Sequence, residues 1–163
     1  IAASESLKDY YGRLGYNTGF SYDKKCVSSN NSDVDYEIFV VSASDDDEIK
    51  RLIDFMNDIH LKYCTGDIVQ KRSRKLLECD LLYRKAIVFT AENCYVVAEI
   101  YEDIIYFSEC MGEDWEKLAA QILHLMNTSS AEACYCGDSV SLGMYKNLSC
   151  QKKISGYLNL MFN

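Results

Sequence analysis

The sequence predicts an α+β fold, an antiparallel sheet of about 4–6 strands packed by two main amphipathic helices. Three observations lead there. Residues 86–91, 94–101 and 104–108 are rich in β-branched and aromatic side chains. Only Glu92-Asn93 and Glu102-Asp103 separate them, so they read as a three-stranded meander over 86–108. Residues 46–63 and 113–127 each carry apolar side chains at helical spacing behind a group of carboxylates, where a helix N-terminus favours negative charge. Residues 36–42 form an unbroken run of strand-forming residues, which predicts a central strand buried on both faces.

In chain order the elements read α-β-β-α-(α)-β-β-β-α, followed by a C-terminal tail. Residues 4–12 predict a short helix with Leu7, Tyr10, Tyr11 and Leu14 as a partial stripe, loosened by Gly12 and Gly15. Phe20-Ser21-Tyr22 predicts a short strand, and the Ser- and Asn-rich residues 28–33 a polar loop. Asp45-Asp46-Asp47-Glu48 caps the first long helix, whose stripe is Ile49, Leu52, Ile53, Met56, Ile59, His60 and Tyr63. The basic island Lys71-Arg72-Ser73-Arg74-Lys75 reads as a solvated segment, and Leu76, Leu77, Cys79, Leu81 and Leu82 as a short helix after it. The second long helix carries Trp115, Leu118, Ala119, Ile122, Leu125 and Met126, the same hydrophobic phase as the first. Two helices meeting the same packing problem on one sheet account for this.

Two-residue turns in the meander set a register. Phe89 then opposes Val96, Ile87 opposes Ala98, Ala98 opposes Phe107, Ile100 opposes Ile105, and Tyr95 opposes Cys110. Ile87, Phe89, Val96, Ala98, Ile100, Ile105 and Phe107 form one apolar face. That face is expected to receive both helices, Trp115, Leu118 and Ile122 from one and Ile49, Leu52 and Met56 from the other. Cys94 and Cys110 fall on opposite faces in this register, where no disulfide can join them. Residues 128–163 are expected to be a Cys-containing extension that docks back on a single domain over 1–127. Its final alternation, Tyr157-Leu158-Asn159-Leu160-Met161-Phe162, suits an edge strand.

At 163 residues, 48% of them hydrophobic, the chain has enough apolar surface for one independent core. Its formal charge of −8 repels a phosphate backbone, so nucleic acid is not an expected partner. Nothing approaches the ~20 consecutive apolar residues of a spanning helix, so membrane insertion is not expected. The sequons at Asn30, Asn127 and Asn147 are compatible with a secretory route, and localisation stays open between cytoplasmic and secreted.

Chemistry is weakly marked. The eight cysteines contain no C-x-x-C pair. Cys134, Cys136 and Cys150 supply three thiolates, one short of a structural zinc site, and are the candidate disulfide partners. Gly137-Asp138-Ser139 has the look of a hydrolase serine, but the two histidines, His60 and His124, lie in no catalytic context. No phosphate-binding glycine loop or dinucleotide fingerprint appears. The sequence therefore predicts no catalytic residue, metal or cofactor. It predicts a small acidic, non-enzymatic protein-interaction module of adaptor, inhibitor or immunity type. The expected partner is a basic protein met by Tyr95, Glu99, Tyr101 and Tyr106, since tyrosine combines an apolar body with a hydrogen-bonding tip. The alternatives are an exported, disulfide-stapled and glycosylated domain, and a cysteine-dependent enzyme.

Overall fold

The computed structural model describes residues 5–40, 45–64, 66, 68–69, 71–75, 77–78, 85–148, 153 and 155–157. Over these the chain forms β1 (Asn17–Ser28), β2 (Glu37–Phe39), β3 (Ile68–Val69), β4 (Ile87–Ala91), β5 (Cys94–Tyr101), β6 (Ile104–Gly112), β7 (Ser130–Tyr145) and β8 (Gly156–Tyr157). The helices are α1 (Lys8–Arg13), preceded by one 3-10 turn, α2 (Asp46–Tyr63) and α3 (Trp115–Leu125). One eight-stranded sheet runs in the order β2-β4-β5-β6-β7-β1-β8-β3. It is mixed and larger than expected. β6 and β7 are parallel, because α3 carries the chain back between them, and β8 is parallel to both β1 and β3. No helix among the described residues is long and apolar enough to cross a membrane.

The meander forms in the expected register at its turn ends, with Phe89 opposite Val96, Ile87 opposite Ala98, Ala98 opposite Phe107 and Ile100 opposite Ile105. It then departs from it. Ala98 pairs with Phe107 but Val97 pairs with Glu109, so Ser108 is an extra residue in β6, a β-bulge. Beyond the bulge Tyr95 opposes Met111 and Val96 opposes Cys110. Cys110 and Cys94 therefore share a face and a core, against the expectation that they diverge. At the end of β6, Gly112 holds φ +104, and a Cβ there would lie 2.1 Å from the Asn93 carbonyl oxygen in the β4–β5 turn.

The two long helices do not share a face. Trp115, Leu118, Ala119, Ile122 and Leu123 of α3 pack on Phe89, Val96, Ala98, Ile105, Phe107 and Cys110. Ile49, Leu52, Met56 and Ile59 of α2 pack on the reverse side, against Val88, Tyr95, Val97 and Met111. The central strands are thus buried on both faces, and Tyr95 is covered by α2. The strand expected at the centre, residues 36–42, yields only the short β2, paired with β4 alone at the end of the sheet. Phe39 is buried against α2 while Ile38 is 55% exposed, since a strand at the sheet's end has less to cover its second face. Residues 41–44 lie outside the described residues. The short expected strand around Phe20 is instead twelve residues long and joined to β7 over most of its length.

α2 begins as the sequence predicts, with the Asp45 carboxylate accepting from the Glu48 amide at 2.8 Å. α3 starts after Asp114, which adopts a left-handed conformation and makes no side-chain cap, and it ends at Leu125; Leu125 and Met126 of the expected stripe are exposed, and Leu123 faces the core instead. β7, part of the expected C-terminal extension, is an inner strand between β6 and β1. Residues 158–163, the end of the expected edge strand, lie outside the described residues.

Candidate functional site

The bulge at Ser108 has a chemical consequence. It turns Glu109 onto the α2 side of β6, one residue before Cys110 returns to the α3 side. Glu109 is 1% exposed there and meets three polar side chains brought by different elements. Arg72, from the basic island, binds Oε2 through its guanidinium. Tyr95 on β5 donates its hydroxyl to Oε1 at 2.7 Å. His60 on α2 places Nε2 at 2.8 Å from the same oxygen and 2.5 Å from the Tyr95 hydroxyl oxygen. Arg72 is held in turn by Asn57, whose Oδ1 accepts the Arg72 amide at 2.7 Å and whose Nδ2 donates to its carbonyl at 3.1 Å. The expectation that the basic island is solvated fails for Arg72, because the buried carboxylate draws its charge inward.

The network assigns the tautomer. Tyr95 gives its only proton to Glu109 and a carboxylate only accepts, so His60 carries its proton on Nε2 and its lone pair on Nδ1. Burial, reinforced by the Arg72 charge, lowers the His60 pKa to about 4, so the ring is neutral at pH 7. Burial likewise pushes the Tyr95 hydroxyl far above the ordinary tyrosine range. The pH consequence has a definite sign. The folded-state pKa lies below the unfolded value of 6.5, so the unfolded chain binds the extra proton between them. Stability is full above pH 6.5 and is expected to fall by about 3 kcal/mol as pH drops towards 4. Urea denaturation of the wild type and of His60→Gln across that interval checks this. The variant should lack that part of the slope, and equal slopes would show that His60 does not titrate as described.

From the lone-pair side of His60 the network runs outward. Cys64 caps α2, its amide donating to the His60 carbonyl at 2.9 Å, and its Sγ lies 3.9 Å from His60 Nδ1 and 3.6 Å from Met111 Sδ. Cys136 of β7 packs against the same cluster, and its influence together with burial raises the Cys64 thiol pKa well above the ordinary range. Cys136 is half-buried and opens onto a cleft of about 490 Å³ that Ser21, Tyr63, Gly137, Asp138 and Ser155 also line. Gly137 leaves room at its wall, since a Cβ there would lie 2.0 Å from the Asp23 carboxylate carbon. Asp23 accepts the Ser139 amide at 2.7 Å, and hydrogen bonds to Ser139 hold its pKa below the ordinary carboxylate value. The Gly137-Asp138-Ser139 motif is thus a strand segment tied to Asp23. A second groove of about 390 Å³ at the β2 end of the sheet is lined by Tyr36, Phe39 and Phe55, with Arg51 and Glu37 on its walls.

The residues expected to bind a partner are dispersed. Tyr95 belongs to the buried network. Tyr101, 54% exposed, donates to the buried Glu99 at 2.7 Å. Tyr106 is half-buried, with its hydroxyl 2.7 Å from Cys134 Sγ. Of the three candidate disulfide cysteines, Cys134 meets Tyr106, Cys136 packs against the core on the α2 side, and Cys150 lies outside the described residues. No group of three or more His, Cys, Asp or Glu among the described residues is placed to hold a metal. Sequence reasoning missed Glu109 and Arg72. The one signal was a carboxylate, Glu109, directly after an apolar strand run, and no local pattern announces the bulge that turns it inward.

No family model and no curated protein sequence matches the chain. Solved structures do. A GCN5-related N-acetyltransferase from Kribbella flavida aligns with a TM-score of 0.56 and 12% identity, over 90% of this chain and 40% of that one. Another, from Sphaerobacter thermophilus, aligns with a TM-score of 0.50 and 5% identity, over 96% of this chain and 55% of that one. The fold resembles that of GCN5-related N-acetyltransferases. This overturns the expectation of a non-enzymatic interaction module, because the fold is one that enzymes of acyl transfer use.

Acetyl groups are commonly carried as thioesters of coenzyme A, whose pyrophosphate suits the N-terminus of a helix. The N-terminus of α3 does not fit it. The Glu113 amide is already given to Asn93 at 3.0 Å, and Glu113, Asp114 and Glu116 set three carboxylates around the first turn. Lys117 and Lys25 are engaged with Asp114 and Glu116. Like charge at this point opposes a phosphate group.

Proposed function

We propose that the chain is an acyltransferase domain whose acceptor is a cationic amine bound in the 490 Å³ cleft beside Cys136. The observation that carries the reading is the likeness of the fold to N-acetyltransferases over nearly the whole chain. Charge selects the acceptor class. Asp23 and Asp138 stand at the cleft and the chain carries a formal charge of −8, which draws a protonated amine and repels anions. Glu109 serves position: both its oxygens are engaged, and it ties β5, β6, α2 and the Arg72 segment together behind the cleft.

The test is release of free thiol from short acetyl thioesters in the presence of polyamines, lysine peptides and neutral amines. Cationic acceptors should be acetylated fastest. Asp23→Asn with Asp138→Asn should raise KM for them several-fold while kcat changes little. Thiol release no faster than thioester hydrolysis, with every amine tried, would refute the reading.

A further inference from the structure

We infer that the groove of about 390 Å³ between α2 and the β2 end of the sheet binds an alkylated ammonium ion. The rings of Tyr36, Phe39 and Phe55 line it, Phe39 buried and the other two half-buried. Three exposed carboxylates, Asp35, Glu37 and Glu92, stand at its rim against one cation among the described lining residues, Arg51. These carboxylates do not converge, since no group of three or more among the described residues is placed to hold a metal. A hard metal ion needs a shell of oxygen ligands, and ring faces supply none. Negative charge at the rim with aromatic faces beneath it suits a weakly hydrated organic cation that carries its own apolar surface.

Two contacts in the groove point the same way. The Arg51 guanidinium lies 5.3 Å from the centroid of the Phe39 ring, so a cation already uses this ring face. Its other partner is Glu37 at 3.3 Å, and both side chains are exposed, so the pair is weak and easily displaced. Thr90 is the second. It opposes Glu37 across the β2–β4 pair and, two residues after Val88, stands on the α2 side of the sheet. It is 8% exposed and lines the groove, and no described residue hydrogen-bonds its hydroxyl. A buried hydroxyl without a partner is uncommon, and a ligand N–H or O–H satisfies it. The groove takes Arg51 and Phe55 from the first half of α2, whereas the cleft beside Cys136 takes Tyr63 from its end, so the two sites are separable.

Choline, and the neutral alcohol in which a tert-butyl group replaces its trimethylammonium, are titrated against the full chain by ligand-observed NMR with no thioester present. Choline should bind saturably and the neutral isostere about 3–30-fold more weakly, the worth of a cation over aromatic rings. Arg51→Ala clears the Phe39 ring and releases Glu37, and should tighten choline about 2–5-fold. Lys50→Ala removes the same charge from the next residue of α2, where it pairs with Asp54, and should leave the affinity unchanged. Asp23→Asn with Asp138→Asn should leave it unchanged too. Equal binding of the two ligands, no saturable binding, equal tightening by Arg51→Ala and Lys50→Ala, or loss of choline in the Asp23 and Asp138 variant would overturn the inference. Arg51 and Lys50 are both exposed, so neither truncation threatens the fold. The readout is binding alone, so it is independent of whether the domain transfers acyl groups.

Discussion

Replacing Glu109 by Gln is expected to cost about 3–5 kcal/mol, because it leaves the Arg72 guanidinium buried without its countercharge. That is a large share of the 5–15 kcal/mol typical of a folded domain, and roughly 10 °C in melting temperature for a chain of this size. The loss comes from the stranded charge more than from the bonds themselves. It follows that Arg72→Met should also destabilise, and that the double variant should lose well under the sum of the two. Thermal and urea denaturation of the four proteins make a complete cycle. A loss below about 1 kcal/mol for Glu109→Gln would mean that water or a shift of α2 reaches the carboxylate, and that Glu109 does not organise the site.

Phe107→Ala is expected to destabilise by a similar amount, about 3–5 kcal/mol, through the cavity it leaves. Phe107 is fully buried in the α3 core with Ala98 and Ala133, whose small side chains cannot refill the space. It also stands immediately before the bulge, so its packing fixes where the parity of β6 changes. Ile104→Ala on the same strand is the control. Ile104 is 70% exposed, and its truncation should change stability by no more than about 0.5 kcal/mol. Equal losses at the two positions would mean that the face assignment of β6 is reversed.

What the sequence determined by itself was local. Two-residue turns and strand propensity set the meander register up to Phe107, because cross-strand pairing near a tight turn depends on residues adjacent in the chain. The carboxylates of residues 45–48 set the start of α2 for the same reason. Local pattern states that a helix has an apolar stripe, and leaves open which face of the sheet receives it. The shared phase of α2 and α3 suggested one face, and packing distributed them over two. Residues 36–42 read as central because unbroken apolarity signals burial, yet the place of β2 in the sheet depends on strands far away in sequence.

The candidate site belonged wholly to the tertiary structure. Arg72 and Tyr95 look, in sequence, like a solvated cation and a surface tyrosine, and His60 like one member of a stripe. Only a single extra residue at Ser108 turns Glu109 to meet them, and only the closing of β7 beside β6 brings Cys136 against the core on the α2 side. The physical reason is the period of a strand. Side chains alternate strictly, so one inserted residue exchanges the two faces for everything beyond it, and that insertion is decided by packing across the sheet.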